Sequence, residues 1–368
     1  MTEAAPGAIA PGRALALARD ICEVAAPTFG EAERAAFVAT LWRGAGLEPR
    51  VDAIGNVIAE VPGGSGPRIV LAAHLDTVFD ADTDVRVRES ERRWHAPGLG
   101  DNSASLGVVT ATAERIMAGG LSRRPRVVLA ATVGEEGLGD LRGAKALVAA
   151  LAGEVDAFVA VDGHLGGVVH QAVGSVRLAF TLRGPGGHSW GDYGVASAVH
   201  ALGDAIHALT RIDVPRAPRS SLNVGIAKGG TTVNAIAEQA TCTIDLRSVD
   251  QVELERMVGE AQRRVRSVAR RHAVEVGVER VGDRPAATGG NEALVAAAER
   301  ALRAVGVEPH RSASSTDANA AMAAGVSAVC FGVYRGGDAH RAGEWIDPDS
   351  LDVGMLALEA LLAELAVG

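Results

Sequence analysis

The sequence predicts an α/β fold interrupted by an α+β unit, and three observations lead there. Apolar runs of strand length, 68–73 (RIVLAA), 126–132 (RVVLAAT) and 157–161 (AFVAV), alternate with helix-like stretches at 30–42, 103–117 and 140–151. From about residue 175 the pattern changes to alternating strands followed by long helices, and after about residue 282 the first rhythm resumes. Unbroken apolar strands between helices argue for a parallel sheet covered on both faces. The expected division is 1–174 and 283–368 as the two parts of one domain, with 175–282 inserted between them, about the size of an independent domain.

Each element has its own signal. The segments 50–54 and 57–61 flank Gly55-Asn56 and predict an edge hairpin, and 62–67 (PGGSGP) is a turn. In the insert, 176–182 (VRLAFTL) alternates as an antiparallel strand does. It is followed by the glycine-rich GPGGHSW, a helix over 196–209, strands at 221–226 and 240–246, and a helix over 251–271. The basic run 263–271 on that helix is a solvated face. Beyond the insert come a helix at 292–305, a short helix after Thr316-Asp317, a strand at 327–332 and a closing helix from Leu351.

Composition excludes several classes. The 368 residues carry 36 Lys and Arg against 45 Asp and Glu, a net charge of −9, which argues against a nucleic-acid partner. With 48% hydrophobic and 22% charged residues the chain is not disordered, and 3% aromatics make stacking clefts a poor fit. Cys22, Cys242 and Cys330 form no CxxC spacing and read as small buried residues. The amino-terminal stretch lacks a basic segment followed by an apolar run, and no run of about 18 apolar residues occurs, so the expectation is a cytoplasmic protein with no membrane partner.

Chemistry concentrates at strand ends. The strand IVLAA runs directly into His74-Leu75-Asp76, and in open α/β sheets ligands bind outside the carboxyl ends of strands. A His with an acid two residues on suits a metal ligand and its orienting carboxylate. The next strand leads into Gly134-Glu135-Glu136-Gly137, where adjacent carboxylates repel unless a cation or proton lies between them. The third delivers Asp162 in VDGH; Asp101 stands in GLGDN before a helix; and His340 follows Gly336-Gly337-Asp338-Ala339. Imidazole and carboxylate donors without thiolates suit zinc, with cobalt or manganese as substitutes, and five ligands suit two ions sharing a carboxylate better than one.

The order H-x-D, G-D-N, G-E-E-G, V-D-G and a late A-H near a Glu resembles the dinuclear zinc peptidases and acylases, a group that includes aminoacylases, glutamate carboxypeptidases and tripeptide aminopeptidase. The resemblance runs from about Ala16 to the last helix, and GEEGLGDLRGA, GPGGHSW and SSTDAN look most like its tripeptide-aminopeptidase branch. It implies a zinc-exopeptidase-like mixed sheet covered by helices, with the insert as lid and dimerisation domain. It further implies two Zn2+ per subunit, with Asp101 bridging, His74 and Asp162 completing one site, and Glu136 and His340 the other. Glu135 is then the general base, Asp76 holds His74 in its tautomer, and His188 stabilises the oxyanion in the partner subunit of a homodimer. Asn234 and Arg247 match substrate-holding positions, and Asp317 lies in a loop that the resemblance places beside substrate. Ala237 stands where relatives often carry Pro.

Outside the resemblance, His164 reads as a solvent-facing or supporting group and Glu344 as an orienter of His340. The expected activity is exopeptidase action on di- or tripeptides, aminopeptidase-like. The alternatives are deacylation of N-acyl amino acids or carboxypeptidase action at the same site, and a non-enzymatic metal-binding homologue. Glu135, which such a homologue could most easily lose, is present and argues against the last.

Overall fold

The computed structural model describes residues 10–90, 92–121 and 123–366. The amino-terminal stretch behind the expectation of no leader begins in residues 1–9, outside the described residues. The chain folds as two compact units, one built from residues up to Ala172 and from Gly289 onward, the other from Val173–Thr288.

The first unit is organised on a mixed sheet. Its order runs Arg50–Val51, Val57–Val61, Arg126–Thr132, Arg68–His74, Ala157–Val161, Ser327–Phe331 and Gly167–Ala172, with His310–Ser314 beside the last. The central four are the parallel strands that the unbroken apolar runs predict: Arg68 pairs with Arg126, Ile69 with Ala157, and Ser327 with Ala157. Antiparallel pairing appears toward the edges, where Val57–Val61 meets Arg126–Thr132 and Gly167–Ala172 meets Ser327–Phe331. Helices Arg13–Cys22, Ser105–Met117, Glu292–Ala304 and Ser350–Leu365 contribute Leu17, Val108, Leu302 and Leu358, all fully buried, to the core with Leu71, Leu129 and Val159. The largest fully buried side chain, Trp42, satisfies its indole N–H on the Thr110 hydroxyl at 3.1 Å.

A second, small sheet was not expected from the pattern. It joins Arg335–Gly337, Trp345–Asp347, Arg93–His95 and Arg88–Ser90 in that order, with Gly337 opposite Trp345 and Trp345 opposite His95. The Arg93 guanidinium stacks over the Trp345 ring at 3.8 Å. This sheet ties residues 335–347 to the segment immediately before Gly98.

The second unit is a four-stranded antiparallel sheet, ordered Ser220–Gly229, Gln239–Ser248, Gly174–Arg183 and Glu275–Arg284. Alternate residues of the two central strands, Val176, Leu178, Phe180, Leu182, Cys242, Ile244 and Leu246, are buried beneath helices Ala198–Leu209 and Gln251–Arg271. Both helices begin on side-chain caps: Ser197 accepts the His200 N–H, and Asp250 the Glu253 N–H at 2.8 Å. The strand Glu275–Arg284 has no counterpart in the sequence expectation. It pairs along Gly174–Arg183 from Glu275–Arg183 to Arg284–Ser175, so the unit runs past residue 282.

Candidate metal centre

Three parallel strands in register end at the same edge of the main sheet, and each end carries an acid or an imidazole. His74 closes its strand opposite Thr132, the last residue of the neighbouring strand, from which Val133-Gly134 leads to Glu135 and Glu136. Asp162 follows directly on Ala157–Val161. Asp101 lies in the irregular turn Leu99–Ala104 that opens helix Ser105–Met117. Gly98 enters it at φ 76°, a conformation suited to glycine. His340 comes from the segment that the small sheet fastens alongside.

These side chains converge as three groups whose donor atoms lie within 4.8 Å of one another. They are His74, Asp101 and Asp162; Asp101, Glu136 and His340; and His74, Glu135 and Glu136. Asp101 belongs to both of the first two: its Oδ1 is 3.0 Å from His74 Nε2 and its Oδ2 is 3.0 Å from His340 Nε2. His340 Nε2 is also 2.9 Å from Glu136 Oε1.

The charge balance of this cluster is unusual. His74 is 2% exposed, and Glu135 and Glu136 are 6% exposed. Burial and the neighbouring Asp101 push the Asp162 carboxyl up to about 7, although His74 opposes the shift. Burial works against a charged His74, yet Asp101, Asp162 and Glu135 together hold its imidazole well above the usual range. Hydrogen bonds to Asp101 and Glu136 lift His340 to about 10. Burial resists ionisation of Asp101, but His340 and His74 hold it well below the ordinary carboxylate range.

Such a cluster calls for cations. His74 Nε2 and Asp101 Oδ1 are buried without a hydrogen-bond partner although they face each other. Buried polar atoms are ordinarily paired. Two orphaned donor atoms, a carboxylate shared by two groups, and imidazole and carboxylate donors without thiolate fit a pair of divalent ions.

The supporting contacts partly correct the sequence reading. His74 Nδ1 lies 2.9 Å from the backbone carbonyl of Asp76, while the Asp76 carboxylate is 3.7 Å away. Asp76 thus orients His74 through its main chain. Its side chain instead accepts the N–H groups of Glu135 and Glu136, each at 2.9 Å, and the Thr28 hydroxyl at 3.0 Å. Leu75, between His74 and Asp76, is held through its carbonyl by Arg34, a fully buried guanidinium that also binds the carbonyls of Val24 and Cys22. Glu344 does not engage His340. It accepts the N–H groups of Gly98, Gly100 and Asp101 at 3.0, 2.7 and 2.8 Å. Asp317, 3% exposed, accepts the Thr132 hydroxyl at 2.5 Å. His164 is exposed, packs its ring at a 52° tilt against Tyr334 with centroids 5.0 Å apart, and belongs to none of the three groups.

The remaining sequence-predicted residues lie in the second unit. Gly187–His188 pairs with Ala235–Ile236, placing His188 opposite Ala235, and the Ser189 N–H reaches the Asn234 carbonyl at 3.0 Å. His188 and Asn234 are therefore neighbours on an exposed ribbon. Arg247 is not beside them: it sits at the other end of Gln239–Ser248, where Asp245 holds it at 2.7 Å. The three cysteines are buried, and burial pushes the Cys22 and Cys242 thiols up to about 12 and about 11.

Comparison with known proteins gives the following. The model of peptidase family M20/M25/M40 matches residues 70–364. The aminopeptidase PepT of Bacillus cereus superposes with a TM-score of 0.79 at 22% identity, over 96% of this chain and 98% of that one. The YXEP protein of Bacillus subtilis, described as a dinuclear metal-binding peptidase of the M20 family, superposes with a TM-score of 0.70 at 17% identity, over 95% and 97%. A putative [LysW]-lysine/[LysW]-ornithine hydrolase of Thermococcus kodakarensis is 42% identical over 60 residues, 16% of this chain and 17% of that protein's length. Among the described residues no helix is long and apolar enough to cross a membrane.

Proposed function

The chain belongs to peptidase family M20/M25/M40 and is a hydrolase, and from that premise we propose that it cleaves amide bonds in small peptides, as an aminopeptidase-like exopeptidase on di- and tripeptides. The observation that carries the reading is the pair of donor groups that share Asp101, with Glu135 beside them. His74, Asp101 and Asp162 would hold one ion, and Asp101, Glu136 and His340 the other. When bound, two Zn2+ ions per subunit, with Co2+ or Mn2+ as substitutes, polarise the scissile carbonyl and lower the pKa of the attacking water.

The protein's own groups do the rest. Glu135 takes a proton from the attacking water at its carboxylate and returns it to the leaving nitrogen. Asp76 keeps Glu135 and Glu136 in place by gripping both of their N–H groups. His188 of the partner subunit donates to the oxyanion of the tetrahedral intermediate, which makes a homodimer through the inserted unit part of the proposal. Asn234, next to His188 on the same ribbon, contacts substrate. Arg247 offers a carboxylate grip, and Asp317, which accepts the Thr132 hydroxyl, is assigned to substrate binding.

A second reading is favoured by the short match to the [LysW]-lysine/[LysW]-ornithine hydrolase: the same centre acting on an N-acyl amino acid or a related amide. One experiment separates the two. Metal-loaded protein is given a tripeptide in free, N-acetylated and C-amidated forms, and the products are weighed by mass spectrometry. Release of the first residue from the free peptide, with the acetylated one refused, supports the aminopeptidase. Loss of the acetyl group instead moves the reading to deacylation, and carboxyl-terminal trimming overturns both.

A further inference from the structure

Glu344 is 1% exposed, and its carboxylate receives three backbone N–H groups from one turn. Oε2 accepts Gly98, and Oε1 accepts both Gly100 and Asp101. These donors belong to the irregular turn ahead of helix Ser105–Met117, where the backbone is non-helical at Asp101 and Asn102, and buried backbone N–H groups need an acceptor from elsewhere in the fold. The acceptor comes from more than 240 residues further along the chain. The fit leaves no slack at Gly100, where an added Cβ would stand 2.9 Å from Glu344 Oε1 and 2.8 Å from the Tyr334 ring.

The residue held by this grip is the one both donor groups share. Asp101 directs one oxygen at His74 and the other at His340. Glu344 is also tied to the His340 side, because its N–H closes a turn on the Arg341 carbonyl at 3.0 Å and Trp345 enters the small sheet directly after it. One short segment therefore carries a donor of the centre and the clamp on the turn bearing the shared carboxylate.

We propose that Glu344 is a positioning residue of the metal centre, fixing the direction of the Asp101 carboxylate between its two ions and its spacing from His340. The proposal rests on the two-ion reading above. Outer partners of metal ligands of this kind typically change metal affinity by about 10- to 100-fold when replaced, whereas a carboxylate that only secured the fold would leave the surroundings of the ions unaltered.

The test titrates Co2+ into metal-free wild-type protein and Glu344→Gln, reading stoichiometry by equilibrium dialysis with elemental analysis and geometry by visible absorption. Glu344→Gln keeps the shape but presents an N–H2 where one of the backbone N–H groups needs an acceptor. The expected result is two Co2+ per wild-type chain, a loss of about 10- to 100-fold in affinity for at least one ion in the variant, and an altered cobalt spectrum with unchanged far-ultraviolet circular dichroism. Asp250→Ala, which removes the cap of helix Gln251–Arg271 in the other unit, lowers the melting temperature without changing cobalt binding. If Glu344→Gln does not fold, Glu344→Asp, one methylene shorter, shows the same changes in a milder form. A folded variant of either kind with wild-type cobalt affinity and spectrum overturns the proposal. Wild-type protein that takes up fewer than two Co2+ overturns the two-ion reading, and the proposal with it.

Discussion

Asp76 grips Glu135 by its backbone: Oδ1 accepts the Glu135 N–H at 2.9 Å while Oδ2 accepts the next N–H at the same distance. The carboxylate is fully buried, so these charge-assisted bonds form in a low dielectric, where they are strong and costly to lose. Asp76→Asn keeps the size but leaves one of the two N–H groups facing a donor. The expected outcome is a fall in kcat of about 100-fold with little change in KM, and a loss of stability of about 1–3 kcal/mol. Steady-state kinetics with metal analysis checks this, and wild-type kcat in a metal-replete variant refutes the positioning role.

Glu135→Gln removes the proposed base while keeping its volume. Turnover falls by about 10²- to 10⁴-fold, and elemental analysis still finds both ions. His188→Ala is expected to be similarly inactive with its metals retained. Because His188 is assigned to the partner's centre, mixed dimers of the two inactive chains contain one centre with both groups intact and recover up to a quarter of the activity in a random mixture. Verified heterodimers without recovery count against the assignment in trans.

Glu359 provides a pH signature away from the metal centre. Burial raises its carboxyl above the ordinary value of 4.5, and the nearby Arg115, at 3.1 Å, only partly opposes this. The folded state therefore binds its proton more tightly than the unfolded state does. Its contribution is fully present below 4.5 and is lost as pH rises through the higher folded value. Glu359→Gln removes that slope, so thermal melts at stepped pH should show the variant gaining on wild type as pH rises above 4.5. A constant difference across the range contradicts the expectation.

The main strands and His74, Glu135, Glu136 and Asp162 are legible because strands buried on both faces read as continuous apolar runs, and a polar residue at or just beyond their carboxyl end breaks the run conspicuously; Asp101 and His340 stand instead in the glycine-rich segments GLGDN and GGDAH. What stays hidden depends on contacts between distant, irregular segments. The small sheet uses strands of three residues, such as Arg335–Gly337 and Trp345–Asp347, too short for a period to register. Glu344 stands four residues from His340 in the chain and invites a local pairing, yet its partners are at Gly98–Asp101 through the fold. Arg34 lies in helix Ala32–Gly44 beside Glu33 and Ala35, and nothing in its local sequence sets it apart. Only the arrival of three carbonyl groups around it accounts for its burial.

The separation of the two donor groups along the chain has a consequence for biosynthesis. His74, Asp101 and Asp162 all belong to the first half of the protein, so a nascent chain has emitted every donor of one group before Val173–Thr288 is made. The other group waits for His340, and the clamp on Asp101 for Glu344. Domains generally fold as units, and the unit that holds the centre is complete only once the chain from Gly289 onward has been made, because Ser327–Phe331 pairs beside the strand that leads into Asp162. The donors made first therefore wait, through translation of a whole intervening unit, for the strand that finishes their sheet as well as for His340.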